Sequence, residues 1–313
     1  MKVCIVGSGG YIGSSLKNYF ISKDLEVIRV TSQENTFKDN REEYFNYADL
    51  ADLTTCITIL SDVDVLFYLC SPNQKEIEME PNRGLSIVLE PLINILNAKK
   101  RLKSLKIIYF STAQVYNNIP SEETITDNSI INPNNYYGIF HVFGEQLIKY
   151  SRTSLKHTNL TSIRLTNSFG FFCDHSCEWR LPALNEFISD AFDTNRILSK
   201  SDGSPCRDFV EISNVLNTCV AVARSDDLPE NIICGSGITV NLSYTFSVIR
   251  NIMRKRYSKN IQIQAHGDLV QPEVSQIPRF VVSEKFNNIH SLKDFDKGIE
   301  NAILAYERFR TCL

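Results

Sequence analysis

Tyr137 and His141 stand four residues apart in the run Asn134-Asn135-Tyr136-Tyr137-Gly138-Ile139-Phe140-His141-Val142-Phe143-Gly144-Glu145. That spacing is one helical turn, so a phenol and an imidazole share one face. A phenol held beside a second titratable group is suited to giving or taking a proton at a substrate oxygen. Asn134 or Asn135 is placed to cap the helix, with Pro133 just before it. Leu147 and Ile148 continue it with an apolar face.

A proton-transfer group needs a scaffold and a reaction partner, and the N-terminus supplies a candidate for both. Lys2 to Val6 is an apolar strand, followed by Gly7-Ser8-Gly9-Gly10-Tyr11-Ile12-Gly13 and an amphipathic run carrying Leu16, Tyr19 and Phe20. Strand, glycine turn and helix in this order give the glycine spacing a physical meaning. Gly7, Gly10 and Gly13 permit a tight turn, close approach of backbone to a pyrophosphate and close helix packing. The diphosphate would sit at the positive end of the helix, beside Tyr11 and Ile12.

The next strand, Leu25 to Val30, ends at Thr31-Ser32, with Arg29 two residues earlier. An acidic residue at this point would bind the adenosine ribose and favour NAD. Two hydroxyls remove the carboxylate that repels a 2′-phosphate, which favours NADP while leaving NAD possible. Lys38 is a more distant phosphate partner. Further strands read at Tyr44–Ala48, Asp64–Cys70, Lys106–Phe110 and Asn159–Leu165, with a long helix over Arg83–Lys100. Strands alternating with helices predict an α/β fold, a Rossmann-type doubly wound parallel sheet. Ligands bind at the carboxyl ends of such strands, where Gly7, Tyr68 to Ser71, Thr112 and Asn167 fall.

After Gly170 the alternation weakens. Helices fit Ala183–Phe192, Ile212–Ala223, Ser243–Arg256 and Phe295–Phe309. Short strands fit Arg196–Ser199, Ile232–Cys234, Ile261–Gln264 and Phe280–Val282, and Asp202 to Val210 reads as a loop. The predicted organisation is a Rossmann domain over 1–166 and 209–235, interleaved with a smaller substrate domain over 167–208 and 236–313.

Composition narrows the class. The 313 residues are 43% hydrophobic and 22% charged, with a formal net charge of -3. This is no footprint for nucleic acid, which calls for an excess of Lys and Arg. No apolar run nears the roughly 20 residues of a membrane span, and glycine interrupts the N-terminal run too early for a signal peptide. Nine cysteines, several within apolar runs (Cys4, Cys70, Cys219), suit reduced thiols and a cytoplasmic protein. Cys173-Asp174-His175-Ser176-Cys177 offers two thiols and an imidazole but lacks the second ligand pair of a zinc site, so no metal is expected.

These motifs together resemble the extended short-chain dehydrogenase/reductase family, in its nucleotide-sugar epimerase, dehydratase and reductase branch, through most of residues 1 to 240. The resemblance rests on the glycine turn, Ser111-Thr112-Ala113-Gln114-Val115-Tyr116, the Tyr137 helix with Glu145, Arg164-Leu165-Thr166-Asn167-Ser168-Phe169-Gly170 and Arg207-Asp208-Phe209. It implies a catalytic set of Tyr137, Thr112 and His141. It implies a cofactor set of Gly7, Gly10, Tyr11, Ile12, Gly13, Thr31, Ser32, Asp49, Leu50, Tyr68, Ser71 and His141, with Asp49 at the adenine. Thr112, Asn167 and Arg207 would contact a nucleotide-sugar substrate, Arg207 through its diphosphate. It also implies a homodimer built on the Arg83 and Tyr137 helices.

Two departures bear on the reaction. The family's Tyr-x-x-x-Lys lysine is His141 here, and the acid after the second strand is missing. A lysine's charge lowers the tyrosine pKa, whereas histidine, with an unperturbed pKa near 6.5, is mostly neutral at pH 7. Oxidising an alcohol needs a phenolate; reducing a ketone needs a phenol, which Tyr137 already is. The expectation is therefore reduction of a 4-keto group on a nucleotide-linked sugar. The alternatives are an NAD-dependent 4-epimerase or 4,6-dehydratase and, in another class, a non-catalytic dinucleotide-binding protein.

Overall fold

The computed structural model describes residues 1–32, 40–117, 123–172, 182–275, 279–282, 286 and 292–311. Lys38 and the Cys173–Cys177 run lie outside these. The chain runs β1 (Lys2–Val6), α1 (Tyr11–Ile21), β2 (Glu26–Thr31), β3 (Glu42–Asn46), α2 (Leu53–Leu60), β4 (Val65–Tyr68), α3 (Gln74–Met79) and α4 (Glu90–Lys99). It continues through β5 (Lys106–Thr112), α5 (Tyr136–Thr153), β6 (Leu160–Leu165), β7 (Asn167–Phe169), α6 (Ala183–Thr194), β8 (Arg196–Leu198), β9 (Cys206–Glu211) and α7 (Ile212–Arg224). Last come β10 (Asn231–Cys234), β11 (Thr239–Asn241), α8 (Leu242–Tyr257), β12 (Gln262–Gln264) and α9 (Leu292–Thr311).

The central sheet has the order β10-β6-β5-β4-β1-β2-β3, and each neighbouring pair in it is parallel. Its strands are apolar on both faces because helices cover both. Val3 and Ile5 of β1 pack with Leu16 and Phe20 of α1 and with Val215 and Leu216 of α7. Cys4 and Val6 face the other way, into a core shared with Ile59 of α2, Leu92 of α4 and Ile148 of α5. From β1 the chain winds outward to β2 and β3, then crosses back to β4. This reversal opens a crevice at the carboxyl ends of β1 and β4, the place where an open α/β sheet binds ligands.

A second sheet, β11-β9-β7, joins β9 parallel to β7 and antiparallel to β11. It packs on α6, α8 and α9 through Phe169, Phe209, Ile188, Phe246 and Ile299. The stretch expected to be a loop, Asp202 to Val210, thus contains strand β9. Its polar start hides it in the sequence, and pairing with β7 and β11, distant along the chain, defines it.

The helix expected over Arg83–Lys100 is also interrupted. Gly84–Leu89 is π-helical, and α4 begins at Glu90 with Pro91 in its first turn. Proline has no N–H and displaces the carbonyl four residues back, which is Ile87. The freed Ile87 carbonyl accepts hydrogen bonds from Tyr68 Oη at 2.8 Å and from Tyr47 Oη, and Val88 O accepts from Tyr68 at 3.1 Å. No described helix is long and apolar enough to cross a membrane.

Candidate active site

The crevice is a cavity of about 980 Å³. One end is walled by the glycine turn. Gly7 has φ +91°, a left-handed backbone that favours glycine, and its missing Cβ would stand 3.1 Å from Cys70 N and from Leu69 C, so the loops after β1 and β4 touch. A Cβ on Gly13 would come 2.2 Å from Gly7 O, so α1 can start where it does only with glycine there. Helix α1 has no side-chain cap and no acidic residue in its first turn. Gly10, Tyr11, Ile12 and Gly13 all line the cavity, so the positive end of the helix is open to an anion.

Strand β5 delivers the opposite wall. It runs on through Ser111 to Thr112, past the expected end at Phe110. The Thr112 hydroxyl accepts from Gln114 N at 3.2 Å, starting the 3-10 turn Ala113–Tyr116. Asn135 is the N-cap of α5, accepting from Gly138 N at 2.7 Å, and its amide donates to Gln114 Oε1 at 3.0 Å. This ties the start of α5 to the end of β5 and sets Tyr137 against Thr112, whose hydroxyl hydrogen-bonds the Tyr137 phenol. Deeper along α5, Glu145 receives both ends of a buried Arg164 fork, at 2.9 and 2.8 Å, while Arg164 also donates to Tyr116 Oη.

Tyr137, half-buried, and His141, 4% exposed, both line the cavity, with ring centroids 4.6 Å apart. Burial pushes the Tyr137 phenol up to about 12, against the hydrogen bond from Thr112. Burial also drives His141 down to about 4, opposed by the Phe110 backbone. At neutral pH both groups are uncharged. His141 Nε2 and Ser111 Oγ are buried without a hydrogen-bond partner. Two polar atoms unsatisfied among the described residues, in one cavity with a glycine turn, fit a group that brings hydroxyls and a diphosphate, as a dinucleotide does.

The far end is polar. Asn167 donates to Asp208 O at 2.9 Å, and the Asp208 carboxylate accepts from Ser236 N and Gly237 N at 2.8 Å and from Thr166 Oγ1 at 3.0 Å. Burial raises Asp208 to about 6. Arg207 is exposed towards the cavity, and Arg279, held by its backbone on Thr239 Oγ1 at 2.7 Å, lines it too.

The structure therefore brings Gly7, Gly10, Tyr11, Ile12, Gly13, Ser71, Thr112, Tyr137, His141, Asn167 and Arg207 to one cavity. Thr31 lies against the turn, its Oγ1 2.7 Å from where a Gly9 Cβ would stand. Ser32, Asp49, Leu50 and Tyr68 are not brought to its wall. Asp49 accepts from Asn46 N at 2.9 Å in its own turn, Leu50 is core, and the Tyr68 hydroxyl serves the carbonyls opened by Pro91. Motif reading missed Ser111, Asp208 and Arg279 as cavity residues. The first two sit inside recognised segments; Arg279 carries no local signal.

A doubly wound parallel sheet with its cavity at this reversal defines a Rossmann-type protein. The chain belongs to the NAD dependent epimerase/dehydratase family, whose model matches residues 3–235, and so to the extended short-chain dehydrogenases/reductases. It is 24% identical over 250 residues to a UDP-glucose 4-epimerase of Lactobacillus helveticus, covering 72% of each chain. Its fold is similar to a UDP-N-acetylglucosamine 4-epimerase from Methanobrevibacter ruminantium in complex with UDP-N-acetylmuramic acid (TM-score 0.78, 18% identity, 98% of each chain). It is also similar to a Thermus thermophilus UDP-glucose 4-epimerase in complex with NAD (TM-score 0.76, 16% identity, 98% of this chain and 99% of that one).

Proposed function

We propose that this protein is an NADPH-dependent reductase of a 4-keto group on a nucleotide-linked sugar. The observation that carries the reading is the uncharged Tyr137–His141 pair, which holds a proton donor where the family's lysine would favour a base. The bound dinucleotide supplies the hydride. Tyr137 gives its proton to the carbonyl oxygen as that oxygen gains negative charge, and Thr112 orients the same oxygen with a hydrogen bond. Gly7, Gly10 and Gly13 with the amides of Tyr11 and Ile12 would hold the pyrophosphate, while His141 and Ser111 offer polar atoms to the rest of the cofactor. Asn167, Arg207 and Arg279 would hold the substrate diphosphate, for which guanidinium forks are suited.

NADPH over NADH is supported by Thr31 and Ser32, which put hydroxyls where a carboxylate would repel a 2′-phosphate. The relatives' names support a second reading, 4-epimerisation or 4,6-dehydration with retained NAD. Titration with NADPH and NADH, followed by assay of dinucleotide oxidation on a 4-keto sugar nucleotide, tests both. Preferential NADPH binding with stoichiometric oxidation is the expected result, and tightly retained NAD with no net oxidation would refute the reductase.

We also propose a homodimer through α5 and the Gly84–Lys99 segment, where Leu85, Ile93, Phe143 and Tyr150 are 46, 42, 49 and 56% exposed. Sedimentation of Phe143→Glu against the unmodified protein tests it: a shift to monomer is expected, and two unchanged species would count against it.

A further inference from the structure

His141 lines the cavity and touches the sheet beneath it through Tyr109. Its Nδ1 is 3.1 Å from Tyr109 Oη, its Nε2 is buried with no hydrogen bond of normal geometry among the described residues, and the Phe110 backbone also acts on the ring. Tyr109 lies in β5, is 0% exposed and stacks on Tyr68 with ring centroids 6.0 Å apart. It does not reach the cavity. Room for its hydroxyl comes from Gly144 on α5, where a Cβ would stand 2.3 Å from Tyr109 Oη.

The direction of this bond follows from counting protons. A neutral imidazole carries one N–H and one bare nitrogen. Among the described residues, Tyr109 Oη has Nδ1 as its hydrogen-bond partner. If Nδ1 carried the proton, the Tyr109 O–H would point into an apolar core with nothing to accept it, at the cost of an unsatisfied buried donor. If Tyr109 donates, its proton is satisfied and the imidazole proton must sit on Nε2.

We propose that Tyr109 is a positioning residue: it donates to His141 Nδ1, fixes the Nε2–H tautomer and so presents an uncharged N–H donor to the cavity where the family has an ammonium. The donor's target is a hydroxyl of the bound dinucleotide, and this part rests on the cofactor reading above. Tyr109, His141 and Gly144 then form one unit in which a histidine takes over the binding task of a lysine without its charge.

The test is long-range 1H–15N spectroscopy of histidine-labelled protein at neutral pH without cofactor, with the His141 signals assigned from His141→Gln, together with NADPH titration. Tyr109→Phe is the variant, since it keeps the ring on Tyr68. The expected result is an Nε2–H imidazole in the unmodified protein, mixed tautomers in Tyr109→Phe, and NADPH affinity weakened roughly fivefold to tenfold in that variant. An Nδ1–H imidazole in a protein that binds dinucleotide would overturn the Tyr109 assignment alone, as would a variant identical in tautomer and affinity. An Nε2–H imidazole in a protein that binds no dinucleotide would overturn the cofactor reading alone.

Discussion

Tyr137 and His141 meet edge to face, ring centroids 4.6 Å apart and planes inclined at 64°. Neither ring carries charge at neutral pH, with the phenol pushed up to about 12 and the imidazole down to about 4. A ketone needs a proton supplied to its oxygen, and this pair has one to give. An alcohol needs a base, and no positive charge on His141 stabilises a phenolate. Tyr137→Phe is expected to lower keto reduction by roughly 100- to 10,000-fold while leaving NADPH affinity within about threefold. Steady-state kinetics beside a binding titration checks both halves.

Restoring the family pattern tests the direction of the reaction. A lysine at position 141 adds a positive charge beside the phenol and lowers its pKa. His141→Lys is expected to speed oxidation of the corresponding alcohol by about tenfold or more while changing ketone reduction far less. Equal effects on both rates, measured in the two directions at one pH, would remove the argument from charge.

Stability should carry the mark of His141. Its folded-state pKa lies below the unfolded value, so as pH falls from 6.5 towards about 4 the unfolded chain takes up a proton that the folded one refuses. Stability falls over that window by up to about 3 kcal/mol. Asp208, raised from 3.8 to about 6, acts in the opposite sense: the folded state holds its proton longer, so stability falls as pH rises from 3.8 to about 6. Urea unfolding of His141→Gln against the unmodified protein isolates the histidine. The variant should gain relative stability on acidification, and a constant difference would contradict the neutral buried imidazole.

Glu145 and Arg164 fasten α5 to β6 through a pair whose side chains are each 3% exposed. Removing one partner leaves the other charge buried. Glu145→Ala is expected to cost about 3–5 kcal/mol, read as a lowered denaturation midpoint. A loss under about 1 kcal/mol, the range of exposed pairs, would show that solvent reaches Arg164.

The glycine turn, the apolar strands β1, β4, β5 and β6 and a cap at Asn134 or Asn135 were legible because each is a local pattern: continuous burial, a fixed glycine spacing, a short polar side chain before a helix; the structure selects Asn135. The sequence also placed Tyr137 and His141 on one face, as helical spacing requires. What it could not show depends on distant partners. Strands β7, β9 and β11 exist by pairing across long stretches of chain. The π-helical turn needs Pro91 and two tyrosine hydroxyls from elsewhere. Tyr109 looked like one more apolar strand residue, because only the folded sheet brings it under His141, and Arg279 reaches the cavity from outside every motif.

The most direct measurement follows the hydride. Reaction of a 4-keto nucleotide-linked sugar with NADPH carrying deuterium on the transferable position should give a 4-hydroxy product with deuterium at C4 and one equivalent of oxidised dinucleotide. Turnover of a 4-hydroxy sugar nucleotide on retained NAD, with no net dinucleotide oxidised and no deuterium taken from added NADPH, would contradict the reductase and establish the redox-neutral reaction in its place.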